Sequence, residues 1–505
     1  MPEVRTTAGR VRGRTENGLA VFRGIPFAQP PVGKLRLQAP VPCAEWHGVR
    51  EAFAFGPPPP QASNPVIPWS GSPLRTTAAV GDPGEWLTVN VWSPDTQASG
   101  LPVLVWIYGG GFMRNSSAGP TRDGSHLAAQ GRIVVVSFNY RVSVEGFGRF
   151  DGAPDNRGLL DQIAALEWVR DNIAAFGGDP ANVTVGGESA GACSVAILLG
   201  ARPARGLFHR AIVQSFPGVL PSLELATDIA TVVADRVGRR PTLGDLVTVD
   251  PQTLAEAAAA VAKDTAGYQD RWGYELVVTP TLVGPVIDPV VVPEMPERAL
   301  ARGAGKDVAL LVGHSRDEFD MFIMSEFGGP DAITAEQADQ ALRELSPAPD
   351  GPRVYRSANP GASDAQLFSA VCSDAMIRIP TVRLARAHTG GGGTTHLFEL
   401  CYDETRAGAG HCIEMPLIFD TFDSDFGRWI YGSPPPDTAV ALGEQMRSAW
   451  LSFIRTGDPG WPTYTPQTRQ TRIFDVRSRT ARYPERDSDR IWEGVTFEPL
   501  PLRQQ

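Results

Sequence analysis

Lysine is almost missing from this chain of 505 residues. Only Lys34, Lys263 and Lys306 occur, and arginine carries the positive charge, a trait of genome composition and not of function. Excess positive charge is also lacking. The net charge of -10 argues against nucleic acid or an anionic membrane as the main partner. Cysteine is sparse: Cys43, Cys193, Cys372, Cys401 and Cys412 are odd in number, widely spaced and never in a C-x-x-C pair. That pattern suggests neither a zinc site nor a disulfide framework. No apolar run approaches the roughly 18–20 residues needed to span a bilayer, so no membrane span is expected. The start, Met1-Pro2-Glu3-Val4-Arg5, lacks the basic-then-apolar layout of a secretory signal, which sets a cytoplasmic location as the expectation. Internal repeats and low-complexity linkers are absent too. A single domain over 1–505 is therefore expected, with an alanine-rich helical insertion at about 222–275.

What is present is ordinary for a soluble globular protein: 42% apolar and 20% charged residues. Short strand-like pieces over 3–23 are punctuated by the hairpin signal Asn17-Gly18. The stretch Phe22 to Gly33 holds too much proline for regular structure and reads as an ordered extended segment. Residues 56–84, rich in Pro, Ser, Thr and Gly, read as a long loop that could border a substrate entrance. Leu87–Trp92 alternates like a strand, while Val103–Tyr108 and Ile133–Phe138 are almost wholly apolar, as a sheet covered on both faces requires. A helix over 158–176 and a strand at Val183-Thr184-Val185 follow, then strands at 308–313 and 395–400 and a helix at 438–455. Alternation of this kind indicates a doubly wound α/β sheet.

Chemistry concentrates at Gly187-Glu188-Ser189-Ala190-Gly191. This G-x-S-x-G lies between a β-branched strand and a small-residue helix, the layout of a nucleophile elbow. Serine needs a base, and the base needs an acid to hold its tautomer. Of seven histidines, His126, His209 and His388 lie in or beside apparent helices, His47 in an irregular region, and His314 and His396 at or in strands. Only His411 lies in a glycine-flexible loop just beyond a strand, where the order Ser, acid, His would put a base. Between Ser189 and His411, the strand end Leu310–Gly313 leads to Asp317 and Glu318, and spacing leaves both open as the acid. Upstream, Tyr108-Gly109-Gly110-Gly111-Phe112 ends a buried strand, so its backbone N–H groups can turn into a cavity together with that of Ala190. Losing one such oxyanion donor typically costs ~2.7–4 kcal/mol of transition-state stabilisation.

These blocks, with Asn139-Tyr140-Arg141, Asn156 to Gln162, Phe176-Gly177-Gly178-Asp179-Pro180, Gly284 to Asp288 and Gly457-Asp458-Pro459, resemble the type B carboxylesterase family nearly end to end. The resemblance implies an α/β-hydrolase fold: a large, mostly parallel central sheet, helices on both faces and helical insertions around the active-site entrance. It implies a serine carboxylesterase forming an acyl-enzyme, with Ser189 as nucleophile, Glu318 as acid and His411 as base. Gly110, Gly111 and Ala190 would be the oxyanion donors. Glu188 would tune the site through buried hydrogen bonds, with Ser215 as its partner, and Arg141 and Asp161 would form a structural ion pair. No cofactor and no metal are implied; the partner is a small-molecule ester, and the protein is a monomer or small homo-oligomer. Amide or carbamate hydrolysis on the same triad is the nearer alternative, and a non-catalytic binding protein of the same fold the remoter one.

The sequence also departs from the family. Gly84-Glu85-Trp86-Leu87 replaces a block carrying the first family disulfide. Cys412 follows the histidine where glycine or another small residue is common, which would narrow the space behind it. Gly186 replaces a bulkier residue, and Ser143 and Glu145 interrupt a normally apolar segment, so the pocket shape is open to change. Comparing Glu318→Gln with Asp317→Asn decides the acid. Only the first is expected to abolish p-nitrophenyl acetate hydrolysis; loss in the second alone would transfer the role to Asp317.

Overall fold

The computed structural model describes residues 1–62, 84–279 and 281–503. Most of the long loop inferred at 56–84, residues 63–83, lies outside the described residues. In chain order the strands are β1 (Glu3–Arg5), β2 (Arg10–Arg12), β3 (Arg14–Glu16), β4 (Leu19–Pro26) and β5 (Val49–Glu51). Then come β6 (Thr88–Ser93), β7 (Leu101–Ile107), β8 (Val134–Phe138), β9 (Gly178–Glu188) and β10 (Arg210–Gln214). The last four are β11 (Ala309–Ser315), β12 (Thr395–Leu400), β13 (Gln470–Phe474) and β14 (Arg479–Arg482). Three of them, β1, β2 and β5, form a small separate sheet.

The other eleven form one sheet in the order β14-β13-β12-β11-β10-β9-β7-β8-β6-β4-β3. From β13 to β8 every neighbour is parallel; antiparallel strands close both edges. Strand β8 is buried along its whole length and β7 from Val103 onward, which accounts for their near-continuous apolar sequence. Asn17 and Gly18, at φ 48° and 82°, turn β3 into β4 with Glu16 opposite Leu19, the two-residue hairpin that Asn-Gly favours. One expectation needs correction. Proline at 26 does not keep Phe22–Pro26 out of the sheet, because β4 runs to Pro26 with a bulge between Phe22 and Ile25, and Pro26 stands at the strand's end. His209 likewise precedes a strand and not a helix.

Helix Arg157–Asn172 carries the apolar spacing seen in the sequence and buries Leu159, Ile163, Leu166 and Val169. The stretch 222–275 contains helices Leu223–Arg236, Leu243–Leu246, Pro251–Ala262 and Gln269–Trp272. Ser222 and Asp250 cap the two longer ones by accepting from Leu225 N–H and Thr253 N–H. All five cysteines are free. Among the described residues, no helix is long and apolar enough to cross a membrane.

Arg141, just past β8, is locked to helix Arg157–Asn172 by Asp161. Its Nε lies 2.8 Å from Asp161 Oδ2, its Nη2 2.7 Å from Oδ1, and its backbone N–H donates to Oδ2 at 3.0 Å. Both side chains are 0% exposed, so removing one strands the other's charge in the interior. Asp161→Ala is expected to cost about 3–5 kcal/mol of unfolding free energy, read from the denaturant midpoint.

Candidate active site

Five adjacent parallel strands, β12, β11, β10, β9 and β7, deliver their C-terminal ends to one edge of the sheet. Order along the sheet reverses between β9 and β7, the kind of crevice in which open α/β sheets place their ligands. Strand β9 ends at Glu188, and Ser189 follows at φ 58°, ψ −124°, immediately before helix Ala190–Gly200. A non-glycine residue in that conformation is strained. Its neighbours show how the turn is held. A Cβ on Gly187 would lie 2.5 Å from the Gly191 carbonyl, and one on Gly191 would collide with the Ile107 carbonyl on β7. Only hydrogen fits at both places.

From β7 the chain runs through Gly110 at φ 125° and Gly111 at φ 60°. Asn115 Nδ2 donates to Gly109 O at 3.0 Å, and Gln61 brackets the Asn115 backbone on both sides, pinning this loop. Among the described residues, the N–H groups of Gly110, Gly111 and Ala190 donate to nothing. Gly110, Gly111, Ala190, Ser189, Glu188, His411 and Cys412 all line one cavity, whose other walls include Phe112, Leu282, Val283, Phe319, Phe322 and Met376. Unspent donors at one end of a mostly apolar cavity suit a developing oxyanion on an apolar substrate.

Glu318 opens helix Glu318–Glu326 and is 0% exposed. Its Oε1 accepts from Ser215 Oγ at 2.6 Å and from Ser315 N–H at 2.8 Å, and its Oε2 lies 2.5 Å from His411 Nδ1. Asp317 instead pairs with Arg316 at 2.8 Å and remains 30% exposed. Helix geometry separates the two neighbours, sending one side chain inward and the other to the surface. Phe322 covers the imidazole, with ring centroids 5.0 Å apart.

The partner expected for Glu188 needs correction. Ser215 does not reach Glu188; its hydroxyl serves Glu318. The reason is the sheet. Gln214 is the residue of β10 opposite Glu188, and Ser215, at φ 56°, turns away with its N–H on Gly313 of β11, the strand that leads to Glu318. Glu188 contacts His411 and Cys412 instead. Its Oε1 accepts from the Cys412 thiol at 2.8 Å and lies 3.0 Å from His411 Nε2. That second contact is off hydrogen-bond alignment, leaving Nε2 buried and without a hydrogen-bond partner. No hydrogen bond joins His411 to Ser189 among the described residues.

Two supports escaped sequence reading. Glu414 Oε1 accepts from Gln214 Nε2 at 2.9 Å, and Gln214 Oε1 accepts from Trp450 Nε1 at 2.9 Å. Gln214 lies 200 positions from Glu414 and 236 from Trp450, and only Glu414's place three residues after His411 hinted at it. The departures in sequence find local explanations. Gly186 lies under the Trp106 indole, where a Cβ would meet the ring at 2.8 Å. Glu145 pairs with buried Arg36 at 2.5 Å. Neither these nor Ser143 line the cavity. Cys412 does, and it stands at φ 68°, a left-handed conformation that explains why a small residue or glycine is usual there.

Electrostatics follow from this crowding. Burial works against charge on Glu188, but His411 and the Cys412 S–H outweigh it and hold the carboxyl below its ordinary range. Burial also opposes an imidazolium at His411, yet the Cys412 sulfur and the carboxylates of Glu188 and Glu318 carry it well above the usual histidine range. Burial, with Glu188 adding to it, pushes the Cys412 thiol far up, so it stays S–H. Glu414, buried and repelled by Glu188 and Glu318, is pushed up to about 8.

Residues 1–492 match the carboxylesterase family. Para-nitrobenzyl esterase of Bacillus subtilis is 36% identical over 495 residues, covering 95% of this chain and 96% of that protein. Phenmedipham hydrolase of Pseudarthrobacter oxydans is 34% identical over 481 residues, covering 92% and 93%. Among solved structures, a Geobacillus stearothermophilus carboxylesterase superimposes with a TM-score of 0.84 at 32% identity, covering 98% of this chain and 100% of that one.

Removing the charge of Glu188 tests the electrostatic reading directly. Glu188→Gln is expected to lower the His411 pKa, because one close opposite charge is removed. NMR titration of the imidazole measures it; an unmoved titration would mean that Glu188 does not contribute to the shift.

Proposed function

Because the chain belongs to the carboxylesterase family and is a carboxylic-ester hydrolase, we propose that Ser189 is its nucleophile, His411 its base and Glu318 the acid that orients the base. The observation that carries this reading is the 2.5 Å contact between Glu318 Oε2 and His411 Nδ1, made in the cavity onto which the strained Ser189 opens. A carboxylate on Nδ1 keeps that nitrogen protonated and directs the lone pair of Nε2 toward the cavity.

Hydrolysis then runs in two halves. His411 Nε2 accepts the Ser189 hydroxyl proton as Oγ attacks the ester carbonyl carbon. For this, the imidazole turns Nε2 from Glu188 Oε1 to Ser189. The carbonyl oxygen, now negative, takes hydrogen bonds from the N–H groups of Gly110, Gly111 and Ala190. These N–H groups line the cavity and have no acceptor among the described residues, so no hydrogen bond must break as the charge forms. His411 passes the proton to the departing alkoxide, which leaves as the alcohol. Water enters, loses a proton to Nε2 and attacks the acyl carbon; the bond to Ser189 Oγ then breaks, Nε2 returns its proton to Oγ, and the acid leaves. Glu318 stabilises the imidazolium in both halves.

The largely apolar walls, Phe112, Leu282, Phe319 and Met376 among them, suit esters with hydrophobic acyl or aryl groups. Para-nitrobenzyl esters are therefore sensible first substrates. Within the same proposal the enzyme acts in the cytoplasm as a monomer or small homo-oligomer. Its five unpaired thiols suit a reducing compartment. Ser189→Ala is expected to reduce kcat for p-nitrophenyl acetate by a factor on the order of 10⁴–10⁶ with the fold intact. Full activity in that variant would remove Ser189 from the mechanism.

A further inference from the structure

Three potential metal donors of different kinds converge where the mechanism needs one. Cys412 Sγ, His411 Nε2 and Glu188 Oε1 lie within 4.8 Å of one another. The shared oxygen is 2.8 Å from the sulfur and 3.0 Å from the nitrogen. Nε2 is buried and has no hydrogen-bond partner. Behind it, Glu318 Oε2 holds Nδ1 at 2.5 Å, the carboxylate–histidine arrangement that fixes the tautomer and raises the basicity of a metal-binding imidazole. Cys412 stands at φ 68° and lines the cavity, with its sulfur against Glu188 Oε1. All three residues face the cavity, which leaves a fourth position open to water or to Ser189.

We propose that Cys412 Sγ, His411 Nε2 and Glu188 Oε1 form a binding site for a thiophilic divalent cation such as Zn²⁺ or Cd²⁺, and that its occupation switches the esterase off. One thiolate, one neutral imidazole and one carboxylate, with an open fourth position, is a ligand set that Zn²⁺ accepts. Charge balances as well: the cation's two positive charges meet one thiolate and one carboxylate. As the metal–ligand bonds form, the thiol proton, which now bonds Glu188 Oε1, and the proton of Nε2 where the imidazole is charged both leave to solvent. Zinc–ligand distances of about 2.0–2.3 Å require the three donors to move apart by a few tenths of an ångström or more. Replacing a hydrogen bond by a bridging ion does that without moving the backbone. The bound ion takes the lone pair of Nε2, and His411 then has nothing with which to accept the Ser189 proton. The blocking half of the proposal rests on the assignment of His411 as base; the binding half does not.

Titrating the full-length protein with Cd²⁺ and Zn²⁺ tests both halves. Cd²⁺ is expected to give a saturable thiolate-to-metal charge-transfer band in the ultraviolet, approaching one equivalent. The band should persist in Cys43→Ala and disappear in Cys412→Ala. The Zn²⁺ concentration that halves p-nitrophenyl acetate hydrolysis should rise at least 10-fold in Cys412→Ala. Should that variant not fold, X-ray absorption of the Zn²⁺-loaded wild type decides, with one sulfur among nitrogen and oxygen ligands expected. A band of equal size in folded Cys412→Ala, or a zinc shell without sulfur, overturns the site. A band that depends on Cys412 while hydrolysis continues undiminished keeps the site, and overturns both the blocking and the role of His411 as base.

Discussion

His411 Nδ1 and Glu318 Oε2 meet at 2.5 Å inside the protein, and neither group would remain there without the other and its supports. A carboxylate 0% exposed needs several hydrogen bonds to offset lost hydration. Glu318 receives them from Ser215 Oγ, Ser315 N–H and the imidazole. Each donor comes from a different strand end or loop: β10, β11 and the segment after β12. The parallel order β10-β11-β12 is thus what makes the buried acid affordable, and the buried acid is what holds the imidazole still. The backbone adds its own tie, with His411 N–H donating to Glu318 O at 3.1 Å.

On the other side of the imidazole lies a second carboxylate with a different task. Glu188 precedes the serine and shares one oxygen between a thiol and a nitrogen. Two anions flanking one histidine stabilise its charged form, which helps after proton transfer and opposes it before. A strained backbone at residue 412 is tolerated because neighbouring structure is over-determined by the sheet edge and by helix Glu414–Phe419. Below the site, Trp450, Gln214 and Glu414 form a hydrogen-bonded chain that carries polar groups through an otherwise apolar layer.

Much of this was legible in the residues themselves. Glycines at 187 and 191 around Ser189 announce a turn with no room for side chains, and the structure shows which carbonyls fill that room. Continuous apolar strands announced a sheet covered on both sides. Asp317 and Glu318 could not be separated by spacing, because the decision belongs to the helix that begins at Glu318 and sends its side chain inward. Ser215 was assigned to the wrong carboxylate for a similar reason. Sequence proximity to β10 says nothing of which neighbouring strand a turned residue will face, and Ser215 faces β11.

The sequence by itself determined the tight glycine-flanked turn at Ser189, the glycine-rich loop after β7 and the strand–helix alternation, since each follows from local sterics or from periodicity, and it offered His411 as the candidate base. Tertiary structure alone decided which carboxylate meets which nitrogen of His411, where Cys412 points, and how Gln214 reaches Glu414 and Trp450 across 200 and 236 residues. Those are contacts between strand ends far apart in the chain. Their geometry depends on strand order, register and the direction of single residues beyond the sheet edge, none of which a local pattern encodes.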